Sequence, residues 1–235
     1  MENLDCHKIK PMADTGLHEK IIQLMDIEKR GTVLDIAAGG GALSCELNNL
    51  GFEVVAGDLN EDNFKLHNKI PFIQYDLNTQ LTIEKRFDHV CAIEIIEHIE
   101  NPYKLIRDCN SLLKENGKLI VSTPNITNYK SRITYLLFGR FSSFFPHDKL
   151  NSGHINPIPF WELKDILEEN GFEIELVTTN GLNLSVVPKY TLKSIFLKFI
   201  YIIGLTLIPF IQNWGFKEYK ELKTGNILII KAKKR

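Results

Sequence analysis

The sequence predicts an α/β fold built on a mostly parallel sheet with helices on both faces. Two observations predict it. Short apolar runs alternate with helix-like segments along the chain, and a glycine cluster follows the first run directly. The 235 residues suit one domain carrying inserts, and 44% of them are apolar, enough for a full core.

The elements follow in order. TVLDIA (32–37) reads as a buried strand, and GALSCELNNL (41–50) as a helix with Gly51 at its C′ position. FEVVAGD (52–58) is the second strand, NEDNFKLHNKI (60–70) a helix, PFIQYD (71–76) the third strand and FDHVCAIE (87–94) the fourth. The next helix spans 101–117. Asn101 is its N-cap, Pro102 opens it, and Leu105, Ile106, Cys109, Leu112 and Leu113 form its apolar stripe. KLIVSTP (118–124) is strand five, 161–171 a helix containing Trp161, and 172–179 and 226–234 the last two strands. All of this forms one domain over 1–235, interrupted by inserts at 125–159 and 180–224. The first insert, with Phe138, Phe141, Phe144 and Phe145, is placed as an acceptor-side lid, and Asn125 and Tyr129 as acceptor contacts. The second contains the apolar stretch 194–211.

The mostly apolar, uncharged part of that stretch is thirteen residues long, 199–211, short of the ~20 that span a bilayer as a helix. Lysines flank it: Lys189, Lys193, Lys198, Lys217, Lys220 and Lys223. It reads as an element lying in a membrane surface, with a buried helical hairpin as the competing reading. The polar N-terminus MENLDCHKIK lacks the apolar core of a leader peptide. Cys6, Cys45, Cys91 and Cys109 are scattered without a Cys-x-x-Cys, which predicts reduced thiols in a cytoplasmic compartment, peripheral to the inner face of a membrane. The net charge of −1 argues against a nucleic-acid binder.

In an open parallel sheet, ligands sit beyond the carboxyl ends of the strands. Gly39, Gly40 and Gly41 lie there and let the backbone approach a ligand closely. Asp58 ends the second strand, where a carboxylate can accept two ribose hydroxyls. Asp76 ends the third and suits the exocyclic amine of a base. Three carboxylates, with Asp35, repel phosphate and favour a nucleoside with a neutral or cationic tail.

The run "VLDIAAGGG" resembles motif I of the class I S-adenosylmethionine-dependent methyltransferases, with Asp35, Ala37, Gly39 and Gly41 on the acidic and three glycine positions. Ala37 departs from the first glycine; one methyl group is tolerable there if φ is negative. "AGDLN", "YDL", "FDHVCAIEIIEH" and "LLKENGKLIVSTPN" resemble the later motifs in order, over about 30–180 and the final strand. The resemblance implies a seven-stranded Rossmann-like sheet with a reversed last strand. It also implies S-adenosylmethionine as cofactor and S-adenosylhomocysteine as product. Asp58 and Leu59 would lie at the ribose, Asp76 and Leu77 at adenine, and Asp35, Ala37, Gly39 and Gly41 along the methionine part. Glu94 is the last cofactor contact.

At the end of strand four, "EIIEH" supplies Glu94, Glu97 and His98. Two carboxylates and an imidazole can hold a divalent cation such as magnesium, manganese or zinc. His154, 56 residues further on, is the candidate fourth ligand and His147 its rival. The group resembles that of two methyltransferase families, the ubiquinone-biosynthesis O-methyltransferases and the metal-dependent RNA 2′-O-methyltransferases. Glu97, His98 and His154 are therefore the expected catalytic residues and O-methylation the expected reaction. The expected acceptor is a small or lipid-linked one: a quinone precursor, a sugar or a glycan. RNA ranks lower on charge. A non-catalytic, membrane-docked cofactor-binding scaffold rests on Ala37 alone, and a dinucleotide oxidoreductase would want Gly-x-Gly-x-x-Gly spacing.

Overall fold

The computed structural model describes residues 4–181 and 220–235. The apolar stretch 194–211, and most of the second insert, lie outside the described residues. Among the described residues no helix is long and apolar enough to cross a membrane.

Seven strands form one sheet: β1 (Thr32–Asp35), β2 (Glu53–Asp58), β3 (Phe72–Gln74), β4 (Phe87–Ala92), β5 (Leu113–Pro124), β6 (Phe172–Asn180) and β7 (Ile227–Lys234). Their order is β3-β2-β1-β4-β5-β7-β6. All pairs up to β4–β5 are parallel, and β7 runs antiparallel to both neighbours, as the expected reversed strand. The chain order reverses between β1 and β4, so the crevice for a ligand lies above their carboxyl ends.

Among the described residues six helices accompany the sheet: α1 (Leu17–Leu24), α2 (Ala42–Asn49), α3 (Pro102–Leu112), α4 (Tyr129–Phe138), α5 (Pro146–Ser152) and α6 (Phe160–Glu169). Successive residues of a strand face opposite sides, so a central strand serves two cores. Val33 packs with Leu17, Ile21, Leu43 and Leu47 of α1 and α2 on one face. Leu34 packs with Leu105, Ile106, Leu163 and Ile166 of α3 and α6 on the other.

Three expectations need correction. Residues 60–70 are not a helix; only a 3-10 turn, Glu61–Asn63, forms, capped by the Asn60 side chain accepting Asp62 N–H. Asparagines at 60, 63 and 68 and Pro71 compete with helical hydrogen bonding, while Phe64, Leu66 and Ile70 are buried as plugs. The helix predicted to 117 stops at Leu112, and Leu113 joins the sheet opposite Phe87. Asn116, at φ 62, sits in a bend that no helix accommodates. Finally, the four thiols are not all reduced: Cys6 and Cys45 form a disulfide, and Cys91 and Cys109 are free and buried. Their separation of 39 residues hides the pairing in the sequence. The bond ties the N-terminal segment to α2.

Candidate active site

A cavity of about 550 Å³ lies over the β1–β4 crevice. That is the size of a nucleoside-like ligand's site. The glycine turn forms its floor. Gly39 has φ 51 and Gly41 φ 90, a region where a side chain is strained. A Cβ at Gly41 would fall 2.6 Å from Phe64 Cε2. Ala37 keeps an ordinary φ, since Glu94, Asn116 and Ser143 are the non-glycine residues with positive values. Its methyl group therefore adds no backbone strain, and the departure from the glycine pattern costs the turn nothing.

Asp58 is locked by the turn it faces: Gly39 N–H donates to Oδ2 at 2.8 Å and Asn60 N–H to Oδ1 at 3.1 Å. Each oxygen keeps a further lone pair towards the cavity. Asp35 is buried and accepts the Ser44 hydroxyl at 2.7 Å. Burial pushes its pKa up to about 6, against the Ser44 hydrogen bond and with the help of the Asp58 charge. Asp35, Ala37, Gly39, Asp58, Glu94, Glu97, His98 and His154 all line the cavity. Leu59, Asp76 and Leu77 do not. Leu59 is mainly exposed; Asp76 caps its own turn by accepting Asn78 N–H; the Leu77 carbonyl accepts the Lys104 ammonium. Gly41 lies just behind the lining, as N-cap of α2.

Opposite the turn stands a second cluster. Glu97, His98 and His154 each offer a ligand atom, all within 4.8 Å of one another. The imidazoles of His98 and His154 meet edge to face at 4.9 Å. The fold fixes this meeting through backbone: Ile155 and Asn156 N–H both donate to the Glu97 carbonyl, at 2.9 and 3.0 Å. His154 Nδ1 lies 2.8 Å from the Ser143 carbonyl, which can only accept. In the neutral imidazole the proton is therefore on Nδ1, and Nε2 presents the lone pair. Glu97 is fully buried, yet neither carboxylate oxygen has a hydrogen-bond partner of good geometry. Burial raises its pKa to about 8, partly offset by its own N–H and the Thr123 hydroxyl. Burial, reinforced by His154, holds His98 below the ordinary histidine value.

Glu94 is the fourth predicted member and stands apart from that trio. Its backbone is left-handed, with φ 51, and its N–H donates to Ser122 Oγ at 3.0 Å. The Ser122 hydroxyl turns back to Glu94 Oε1 at 3.3 Å. A non-glycine residue in this region is strained, as are Asn116 and Ser143 elsewhere in the chain. Burial pushes its carboxyl well up, with Glu97 and Asp14 adding to the shift.

His147, the rival ligand, is exposed and pairs with Asp148. Asn125 lines a smaller neighbouring cavity, while its amide donates to the Leu222 and Gly225 carbonyls and its oxygen accepts Thr127 N–H. Tyr129 is buried, and Trp161 is largely exposed rather than packed. The sequence reading missed the N-terminal wall of the cavity, Lys10, Met12, Ala13, Asp14 and His18. A Cβ at Gly39 would meet Met12 Sδ at 3.2 Å, so this segment closes directly over the glycine turn. The amphipathic run before β1 was its only local signal.

Residues 12–177 match the model of the family described as Methyltransferase domain. The chain belongs to that family. The family's description names methyl transfer as its class of chemistry. The chain is 41% identical over 104 residues to a ubiquinone biosynthesis O-methyltransferase of Xanthomonas euvesicatoria, a match covering 40% of this chain and 44% of that protein. It thus spans less than half the length of the curated relatives it matches. A solved SAM-dependent methyltransferase from Archaeoglobus fulgidus superposes with a TM-score of 0.63 at 21% identity, covering 93% of each chain. Another, from Mesorhizobium loti, gives 0.59 at 17%, covering 93% of this chain and 99% of that one. At such identities the likeness shows the fold.

Proposed function

We propose that this chain transfers the methyl group of S-adenosylmethionine to a hydroxyl of a small or lipid-linked acceptor, such as a quinone precursor or a sugar. The observation that carries the reading is the Glu97–His98–His154 cluster, placed across the cavity from the glycine turn. The methyl donor fits this floor: it is a nucleoside with a cationic sulfonium, and the described lining offers five carboxylates, Asp14, Asp35, Asp58, Glu94 and Glu97, and a bare turn against the one lysine, Lys10. When bound, it supplies an electrophilic methyl group.

The chain's own residues do the rest. Asp58 takes the ribose hydroxyls with its remaining lone pairs. The 37–41 turn and Asp35 border the methionine part. His154 Nε2 accepts the acceptor's proton as oxygen attacks. Glu97 and His98 hold the imidazole's surroundings dry and polar, and alignment of the acceptor oxygen with the methyl carbon supplies much of the acceleration.

The orphaned oxygens of Glu97 and the two imidazoles also fit a divalent cation, zinc or manganese more closely than magnesium on donor type. Glu97, His98 and His154 Nε2 would hold it, in place of His154's role as base, and it would lower the pKa of a bound hydroxyl. His154 already has the second-sphere hydrogen bond typical of a ligand histidine, from Nδ1 to a backbone carbonyl.

A lipophilic acceptor is favoured by α4. Its first turn reaches the site region, while Tyr135, Leu136 and Phe138 near its end are 50%, 82% and 56% exposed. The test is transfer from labelled S-adenosylmethionine into a fractionated cell extract, with and without chelator. Label in lipid-extractable hydroxyl compounds supports the reading. Label confined to RNA or to amines overturns it.

A further inference from the structure

A second cavity of about 200 Å³ adjoins the first and shares Asp14, Glu94 and His154 with it. Its far wall is built from Asn128, Lys130, Ser142 and Ser143. The placement puts one mouth at the proposed reacting groups and the other end at a cation.

Lys130 occupies the first turn of α4 and is half-buried. That position opposes the helix dipole, which favours anions there. Among the described residues its ammonium has no ion pair and no hydrogen bond. The carboxylates of Asp14 and Asp148 act on it through space only, and burial holds it below the ordinary lysine value. Asp148 is committed elsewhere, to Phe145 N–H and His147. A desolvated, unpaired cation at the positive end of a helix is unfavourable by itself, and a bound anion offsets both penalties. Ser142 and Ser143 flank it with hydroxyls that can donate to the same anion. The wall is held firmly: Ser142 N–H donates to Ser131 Oγ, and Ser143, at φ 68, carries the carbonyl that fixes His154.

We propose that Lys130, with Ser142 and Ser143, forms an anion subsite that reads a carboxylate or phosphate group on the acceptor, so that the acceptor is an anionic hydroxy compound. The hydroxyl lies by His154 and Glu94 and the anionic group by Lys130. This rests on the reading of the site as an acceptor site. It makes Lys130 a specificity residue, not part of the proton-transfer machinery.

The test is calorimetric titration of the protein saturated with S-adenosylhomocysteine, using catechol, 3,4-dihydroxybenzoate and 3,4-dihydroxyphenyl phosphate. A charged hydrogen bond is worth about tenfold or more in affinity. One or both acids should therefore bind roughly tenfold tighter than catechol. Which acid gains tells carboxylate from phosphate. Lys130→Met should erase the gain and leave catechol unchanged, Lys130→Arg should keep it, and Asp14→Asn should increase it. Equal binding of all three compounds by the wild type, no binding of either acid, or a gain that survives in Lys130→Met overturns the proposal. The wild-type comparison decides even if Lys130→Met fails to fold. Methyl transfer is followed separately. Acids held through Lys130 without label on their hydroxyls leave the subsite standing and remove the O-methylation reading; labelled hydroxyls without acid preference do the reverse.

Discussion

Replacing Glu97 by glutamine tests the electrostatics of the site directly. The carboxyl is fully buried and without good hydrogen bonds, and its pKa rises from 4.5 to about 8. An acid with a raised folded-state pKa keeps its proton where the unfolded chain has lost it. Unfolding free energy therefore falls as pH climbs from the unfolded value to about 8, and levels off above. At ~1.36 kcal/mol per unit, the full shift corresponds to about 5 kcal/mol. Asp35 adds a decline of the same sign, but only up to about pH 6. Between 6 and 8 the decline belongs to Glu97 and its neighbour Glu94, opposed at the lower end by His18, His89 and His98, whose burial lowers their pKa; the comparison with the variant cancels the histidines. Urea unfolding of wild type and Glu97→Gln at pH 6, 7, 8 and 9, in chelator, reads the difference. The variant should gain relative to wild type as pH rises, by at least about 2 kcal/mol at pH 9 once the neighbour's ionisation is allowed for. Parallel curves across that range would refute the reasoning, because a carboxylate already satisfied in the fold shows no such slope.

Other perturbations separate the parts of the account. Gly41→Ala puts a Cβ 2.6 Å from the Phe64 ring at φ 90 and should destabilise by roughly 2–4 kcal/mol in thermal unfolding. Asp58→Ala should weaken S-adenosylhomocysteine binding about tenfold or more by calorimetry, and an unchanged affinity removes Asp58 from the ribose role. Breaking Cys6–Cys45 in a Cys6→Ser variant frees a loop with a separation of 39 residues and should cost about 4 kcal/mol in the chain-entropy model. The donor affinity should fall with it, because the segment it tethers covers the glycine turn. Wild-type melting insensitive to reductant would contradict that link.

Much of the site was legible because strand ends carry it. Asp35, Asp58 and the Glu94–His98 group close buried strands, and a parallel sheet sends all such ends to one edge. His154 was readable from residue type, but its meeting with His98 depends on two backbone hydrogen bonds to the Glu97 carbonyl, which no pattern announces. The N-terminal wall was missed because its hold on the turn is tertiary: Met12 over Gly39, and the disulfide to Cys45. Lys130 gave no signal either, since a lysine in a first helical turn reads as solvated until its burial is known. The false helix at 60–70 came from counting apolar residues that plug the core from a turn.

The central claim is that Glu97, His98 and His154 act on the acceptor while the glycine turn and Asp58 hold the donor. Measuring donor affinity and methyl transfer together in His154→Ala tests it most directly. The account predicts S-adenosylmethionine binding within about threefold of wild type and transfer reduced at least ~100-fold, the range of a lost general base. Transfer that persists near the wild-type rate, or donor binding that collapses along with it, would contradict the account.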